Sequence, residues 1–359
     1  VAADLGVAPQ DRAGSGKAGS REGALAGQMS EPSYLALVTS GELERRAREA
    51  WDGLTACRLC PRQCSVDRLA GQTGVCRMGA QPVVASWNVH CGEEPPISGR
   101  RGSGTIFFSG CSGRCLFCQN YPISQLRVGR QVTVERLAGM MLELQGRGCH
   151  NINLVTPTHF VPAILRALVV AAARGLRLPL VYNCSGYESV ETLRLLDGVV
   201  DIYLPDAKYA DDETARELSG FPGYVEANRA ALKEMLRQVG PQLVLDETGV
   251  CQRGMIIRHL VLPHGLSQTR QVLSWIAREL SPQVAVSLMS QYFPAHLALD
   301  HPYLGRKITD EEWEEAADAF DASGLENGYI QEPFDDADHI AVAGWDVDRG
   351  SVNAKHSAA

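Results

Sequence analysis

The residues with the most restrictive spacing in this sequence are cysteines. There are 11, and seven fall into two groups: Cys57, Cys60, Cys64 and Cys76, then Cys111, Cys115 and Cys118. An odd number in an acidic chain of 359 residues, with no charged start and apolar core at its beginning, argues against a disulfide framework. Close cysteines kept reduced more often hold metal than each other. Ligand number separates the two groups. Four thiolates close a tetrahedral site and suit structural Zn²⁺, or they hold an auxiliary iron–sulfur cluster. Three thiolates on a cubane cluster leave one iron free for an outside ligand, and an open metal position is how catalytic sites are built. The competing reading of the three is a zinc loop or unrelated thiols. The remaining Cys91, Cys149, Cys184 and Cys251 read as small buried apolar side chains.

These groups must be positioned by regular structure, and the apolar runs supply it. TIFFSG (105–110), NINLVTP (151–157), LPLVYN (178–183), VDIYLP (200–205), MIIRHLVLP (255–263) and VAVSLM (284–289) are short and almost continuously apolar. Strands buried on both faces have that pattern. Helical patterns lie between or after them, over 134–148, 162–175, 190–196, 225–239, 267–280 and 310–320. Strand then helix, six times, implies a parallel sheet with right-handed crossovers. Six units are two short of a complete barrel, so the expectation is an α/β fold with an open, partial (β/α)6 barrel. The three-cysteine group then follows the first strand directly, at the carboxyl edge where such folds place their chemistry.

Composition excludes other classes. Lys+Arg is 34 against Asp+Glu 42, a net charge of −8, so there is no basic surface for nucleic acid. No apolar run reaches the roughly 18 residues of a membrane span. The organisation expected is a disordered segment over 1–33, a helix plus four-cysteine module over 34–100, the barrel over 101–308, and a last helix with a fraying acidic tail over 309–359. The expected location is the cytoplasm.

Cys111-x3-Cys115-x2-Cys118, with Phe117 before the last cysteine, resembles the signature of the radical S-adenosylmethionine (SAM) superfamily. The stretches RGSGTIFFSGCSGRCLFCQN (101–120), HNINLVTPTHFVP (150–162), VYNCSGYESVETLRLLDGVVDIYLPDAKY (181–209) and IIRHLVLP (256–263) further resemble its PflX-like subgroup. These proteins are homologues of the pyruvate formate-lyase activating enzyme. The resemblance implies a [4Fe–4S] cluster whose open iron chelates SAM. The reduced cluster breaks the C5′–S bond of SAM, and the 5′-deoxyadenosyl radical so formed abstracts hydrogen from a substrate. It also implies a flavodoxin- or ferredoxin-like reductant. Phe117 would lie near adenine.

Where the family usually has a Gly-Gly-Glu-type segment, this chain has Thr156-Pro157-Thr158. Hydroxyls of Thr156 and Thr158, or backbone carbonyls, would then accept hydrogen bonds from the SAM ammonium. By the same resemblance Asn183 and Ser185 face SAM, Asp206, Lys208, Arg258 and His259 line the cavity, and Gln291 and Tyr292 sit near the adenosyl group. Asp206 and Lys208 would equally well pair with each other. Arg258, inside an apolar strand, needs an anion, for which a SAM or substrate carboxylate is the candidate. His159 is a candidate site residue, and Cys184 and Cys251 are candidate hydrogen-atom donors. His90, in a loop before two carboxylates, reads as a satisfied histidine. Three readings of function follow: an enzyme acting on a small molecule, an activase that installs a glycyl radical on a partner protein, and a metal-organised binding protein without catalysis.

Overall fold

The structure is a computed structural model that describes residues 31–331, together with 344–346 and 351–353. Nearly all of the segment expected to be disordered, and most of the acidic tail, lie outside the described residues.

The chain opens with helices α1 (Tyr34–Thr39) and α2 (Glu42–Asp52), followed by the four-cysteine segment. Strand β1 (Val83–His90), a short helix α3 (Pro95–Ser98) and strand β2 (Ser103–Phe108) come next. After the three-cysteine loop come α4 (Tyr121–Ser124), β3 (Arg130–Gln131) and α5 (Val134–Gly146). The alternation continues through β4 (Ile152–Val155), α6 (Val161–Ala173), β5 (Leu180–Cys184), α7 (Val190–Leu195) and β6 (Ile202–Pro205). Helices α8 (Asp212–Ser219) and α9 (Tyr224–Val239) lead to β7 (Val244–Leu245), β8 (Cys251–Leu260) and α10 (Thr269–Glu279). The last units are β9 (Ala285–Met289), α11 (Asp310–Asp321) and β10 (Asn327–Gln331). Residues 344–346 and 351–353 pair antiparallel, where a fraying tail was expected.

The main sheet runs β10-β9-β8-β6-β5-β4-β2-β1-β3 and does not close on itself. Seven strands, from β2 to β10, are parallel to their neighbours, one more than the sequence pattern implies. The added strand is β10. Strand β1, also unanticipated, lies antiparallel on β2 and covers that edge. The result is the α/β, parallel-dominated architecture of a partial barrel.

Helix boundaries follow local chemistry. Thr309 and Glu312 form a reciprocal capping box at the start of α11, and the Thr133 side chain caps α5 by accepting from the Arg136 amide. Leu43, Ala47 and Ala50 form one face of α2, and all three are buried.

The alternation of side chains decides what faces the site. Ile106, Phe108, Leu154, Tyr182, Cys184 and Tyr203 join the large core beneath the helices. Val181, Ile202, Leu204, Ile256 and Ala285 face the opposite, inner side of the sheet, packed against Ile97 of α3. Helix α3 thus inserts from the amino-terminal ends of the strands and fills the inner face there.

Candidate active site and a second cysteine cavity

The three-cysteine loop begins three residues after β2 ends. Its backbone is anchored to the end of α8: the amides of Arg114 and Leu116 donate to the carbonyls of Ser219 and Leu218. The Arg114 guanidinium donates to the carbonyls of Cys111, Gly113 and Val75. The Gly113 amide donates to Cys111 Sγ at 3.3 Å, and Cys118 Sγ lies 3.2 Å from Ser124 Oγ. Burial pushes the Cys111 thiol up to about 12, and the nearby Cys115 and Cys118 add to the shift. Burial followed by Cys115 raises Cys118 to about 11. Three partly buried thiols on one short loop, with the proton affinities of Cys111 and Cys118 raised by burial and by their neighbours, fit a cationic group that binds all three. The donor set therefore fits an iron–sulfur cluster with one open position.

Lys208 lies close enough to Cys115 and Cys118 to feel both. Burial disfavours its charge, but Asp206 and the two cysteines more than offset this, and its pKa is raised. Lys208 Nζ is 2.6 Å from the Asp206 carboxylate, so the two do pair with each other. The mouths of β5 and β6 are held together by α9. Asn228 Nδ2 donates to the carbonyls of Gly186 (3.1 Å) and Asp206 (2.9 Å), and Tyr224 Oη accepts from the Lys208 amide. Gly186 has φ +69°, and a Cβ there would stand 2.1 Å from the Asp206 carbonyl oxygen. Only glycine allows that approach. Nothing in the sequence singled out Tyr224 or Asn228.

Other expected residues fall as follows. Asn183 is on the inner face at the carboxyl end of β5, partly buried, and Ser185 follows it. Phe117 and Tyr292 form an edge-on pair with centroids 5.8 Å apart, and Tyr292 Oη donates to the Leu304 carbonyl. The Gln291 carbonyl accepts from Gln119, which ties the loop after β9 to the cysteine loop. Thr156 has φ +58°, a rare conformation for a β-branched residue, at the end of β4.

Five expectations need correction. Thr158 Oγ1 donates to Glu188 Oε1 at 2.7 Å and is buried, so its hydroxyl is committed to the protein. Cys184 faces the helical core, because one step along a strand reverses the face. Cys251 opens β8 and so lies at the amino-terminal rim, with Sγ 3.3 Å from the Arg253 carbonyl. Arg258 has an anionic partner, but it is the protein's own: it forks onto Glu94 at 2.8 and 2.6 Å and also binds Glu93. Glu93 accepts from Asn153 Nδ2 on β4. The pair of carboxylates after His90 therefore forms a polar floor across the inner face. His159, finally, turns away from the inner face, as described below.

Glu188 is fully buried and accepts from both Thr158 and Tyr182. Burial pushes it up to about 7, against the lowering effect of those hydrogen bonds. The folded protein therefore holds this proton more tightly than the unfolded chain does. The stability cost sets in as pH rises above about 4.5 and is complete above about 7, on the order of 3 kcal/mol. Glu188→Gln, whose amide can meet the same rotatable hydroxyls, is expected to melt higher than the wild type at about pH 8 and no higher at about pH 4. Parallel melting curves for the two proteins across that range would refute the assignment.

Cys57, Cys60, Cys64 and Cys76 line one small cavity of about 20 Å³, together with Arg62, Arg68, Ser112 and His159. Among the described residues no three His, Cys, Asp or Glu side chains converge as a single-ion shell. The segment packs directly on the three-cysteine loop: Arg62 donates to the carbonyls of Ser112 and Gly220. His159 Nε2 is 2.8 Å from the Ser109 carbonyl oxygen.

Residues 105–248 match the radical SAM superfamily. The uncharacterized protein MJ0674 of Methanocaldococcus jannaschii is 30% identical over 276 residues, 75% of each chain. Among solved structures, HydG, a maturase of the [FeFe]-hydrogenase, is 12% identical with a TM-score of 0.46, over 67% of this chain and 54% of that one. Streptococcus suis SuiB, bound to S-adenosylmethionine, is 11% identical with a TM-score of 0.42, over 62% and 48%. The chain thus spans about half the length of these two proteins. Among the described residues no helix is long and apolar enough to cross a membrane.

Proposed function

Because the chain belongs to the radical SAM superfamily, we propose that it is a radical SAM enzyme of the PflX-like subgroup, acting in the cytoplasm on a small molecule. The observation that carries the reading is the placement of Cys111, Cys115 and Cys118 immediately beyond β2, at the carboxyl edge of a parallel sheet. Cys111, Cys115 and Cys118 would hold a [4Fe–4S] cluster, which when bound would supply the one-electron cleavage of SAM and hydrogen abstraction from the substrate. The chain's own residues orient and enclose. Lys208 places a positive charge beside Cys115 and Cys118, which offsets the negative charge of bound thiolates. The α9 clamp through Tyr224 and Asn228 fixes the two strand ends on which Asn183, Ser185 and Asp206 stand. Glu93, Glu94 and Arg258 close the inner face below, so substrate enters from the mouth. The four-cysteine segment holds zinc or a second iron–sulfur cluster and covers one flank of the cysteine loop. That cover favours a small molecule over a protein loop. A flavodoxin- or ferredoxin-like protein delivers the electron.

A second reading, an activase acting on a partner protein, is favoured by exposed apolar residues near the same loop. Leu126 and Val128, and Leu297 and Leu299, lie on two segments joined by stacking of Tyr121 on His296 at 4.7 Å. The deciding experiment is anaerobic reduction of the reconstituted protein with SAM present. Formation of 5′-deoxyadenosine is the expected result. Its complete absence would leave a non-catalytic, metal-organised binding protein.

A further inference from the structure

His159 is the buried group that the proposed function leaves without a role. Its ring is 3% exposed and stands in the wall of the four-cysteine cavity. Nε2 approaches the Ser109 carbonyl, and a carbonyl only accepts, so Nε2 carries the proton. Nδ1 is then a bare lone pair. It has no hydrogen-bond partner although it is buried. A lone pair left in that state is costly, and native structures rarely tolerate it. A histidine that donates one ring N–H to a backbone carbonyl and keeps the other nitrogen free is oriented as metal-ligating histidines are.

Three further observations concern the same cavity. The space of about 20 Å³ is room for one water-sized species. Gly74 is part of the wall, where a Cβ would stand 2.6 Å from Cys64 Sγ. Arg68, 2% exposed, has as its polar contacts the carbonyls of His159 and Gly79 and, at 3.8 Å, the sulfur of Cys57. A buried guanidinium calls for an anionic centre. A divalent ion surrounded by thiolates carries net negative charge and supplies one. The backbone supports such a knot: Gln63, Ser65 and Arg77 all have positive φ, a strained state that persists only where the surroundings enforce it.

We propose that the four-cysteine cavity holds a single divalent ion of the zinc type, and that His159 Nδ1 completes its four-donor shell with three of the cysteines. This rests on the metal assignment made above for the four cysteines and goes further by fixing nuclearity and adding a ligand. The donors line one cavity wall as they stand, and among the described residues no three of them yet converge on a single point. Because His159 also holds the Ser109 carbonyl, two residues before Cys111, the ion would brace the strand end from which the three-cysteine loop springs.

The test counts metals in the full-length protein after anaerobic reconstitution with iron, sulfide and Zn²⁺. One zinc in addition to the cubane iron is expected. A second cluster's worth of iron with no zinc would overturn the single ion. The ligand is tested in a Cys111→Ala/Cys115→Ala/Cys118→Ala background, whose lack of a cluster clears the visible spectrum. There Co²⁺ should give a mixed sulfur–nitrogen ligand-field spectrum, and His159→Gln should shift it and weaken Zn²⁺ retention against a chelator by at least about 10- to 100-fold. His159→Cys, which returns a donor, should restore retention with a sulfur-shifted spectrum. Identical Co²⁺ spectra and retention in the triple variant and its His159→Gln derivative would overturn the ligand. Failure of the cubane itself would appear separately, as loss of iron with zinc retained.

Discussion

Cys115→Ala is expected to reduce 5′-deoxyadenosine formation to background, a loss of about 1,000-fold or more, equivalent to at least about 4 kcal/mol in barrier height. The reason is ligand number. A cubane held by three thiolates has no spare protein ligand, and Lys208 and Asp206 already pair with each other beside the loop. The fold should survive the change. The loop's backbone is anchored through Arg114, Leu116 and the Cys115 carbonyl, which accepts from Gln125 Nε2, and none of these bonds uses the sulfur. Iron content should fall while the far-ultraviolet dichroism stays the same. Cys91→Ala, an exposed thiol outside both groups, is the matched control and should cleave SAM normally. A Cys115→Ala protein that cleaved SAM at the wild-type rate would remove the cluster from this loop.

What could be read from the sequence follows a physical division. The buried parallel strands announce themselves because both faces are apolar, and TIFF, NLV and IYLP needed no tertiary information. The same continuity hides which residues point which way. Asn183 ends one such run and Cys184 follows it in the strand, and nothing local says that the cysteine faces the helices and the asparagine the inner side. Strand β10 was missed for a different reason. Its residues, NGYIQ, follow an acidic helix and form a strand through pairing with β9, a partner some 40 residues away. Strand β1 contains Ser86 and Asn88, which read as polar interruptions, yet Asn88 is bonded to Thr105 on β2. For Arg258 the principle was right and the source wrong. Charge balance demanded an anion, but the loop that supplies it lies more than 160 residues away in sequence. Glu93-Glu94 before Pro95-Pro96 was a visible signal of a stiff acidic turn, but its destination was not visible.

That floor carries the largest expected effect on stability. The side chains of Glu93, Glu94 and Arg258 are 7%, 6% and 15% exposed, so the cluster is close to dry. Its charge balance is two carboxylates to one guanidinium, with Asn153 supplying a further hydrogen bond. Arg258→Met removes the only cation in this contact and leaves two carboxylates facing each other. Breaking a buried pair in this way costs about 3–5 kcal/mol, a large share of the 5–15 kcal/mol by which domains are stable. The pH dependence should change sign with it. Glu94 is buried, which favours its neutral form, but Arg258 more than compensates and holds its pKa below the usual carboxylate value. In the wild type this carboxylate therefore adds stability that is present above its unfolded pKa and lost as pH falls through the folded one. Without the arginine, burial and repulsion from Glu93 leave Glu94 favouring its neutral form, and the variant should gain stability as the pH is lowered from about 7 to about 5. Adding Glu93→Gln and Glu94→Gln to Arg258→Met removes the charges altogether, and it should recover most of the loss, because a neutral hydrogen-bonded set costs less to bury than an unpaired ion. Melting curves of the three proteins at the two pH values decide it. If Arg258→Met melts like the wild type, the floor contributes nothing, and the inner face below the mouth must be wetter than its geometry implies.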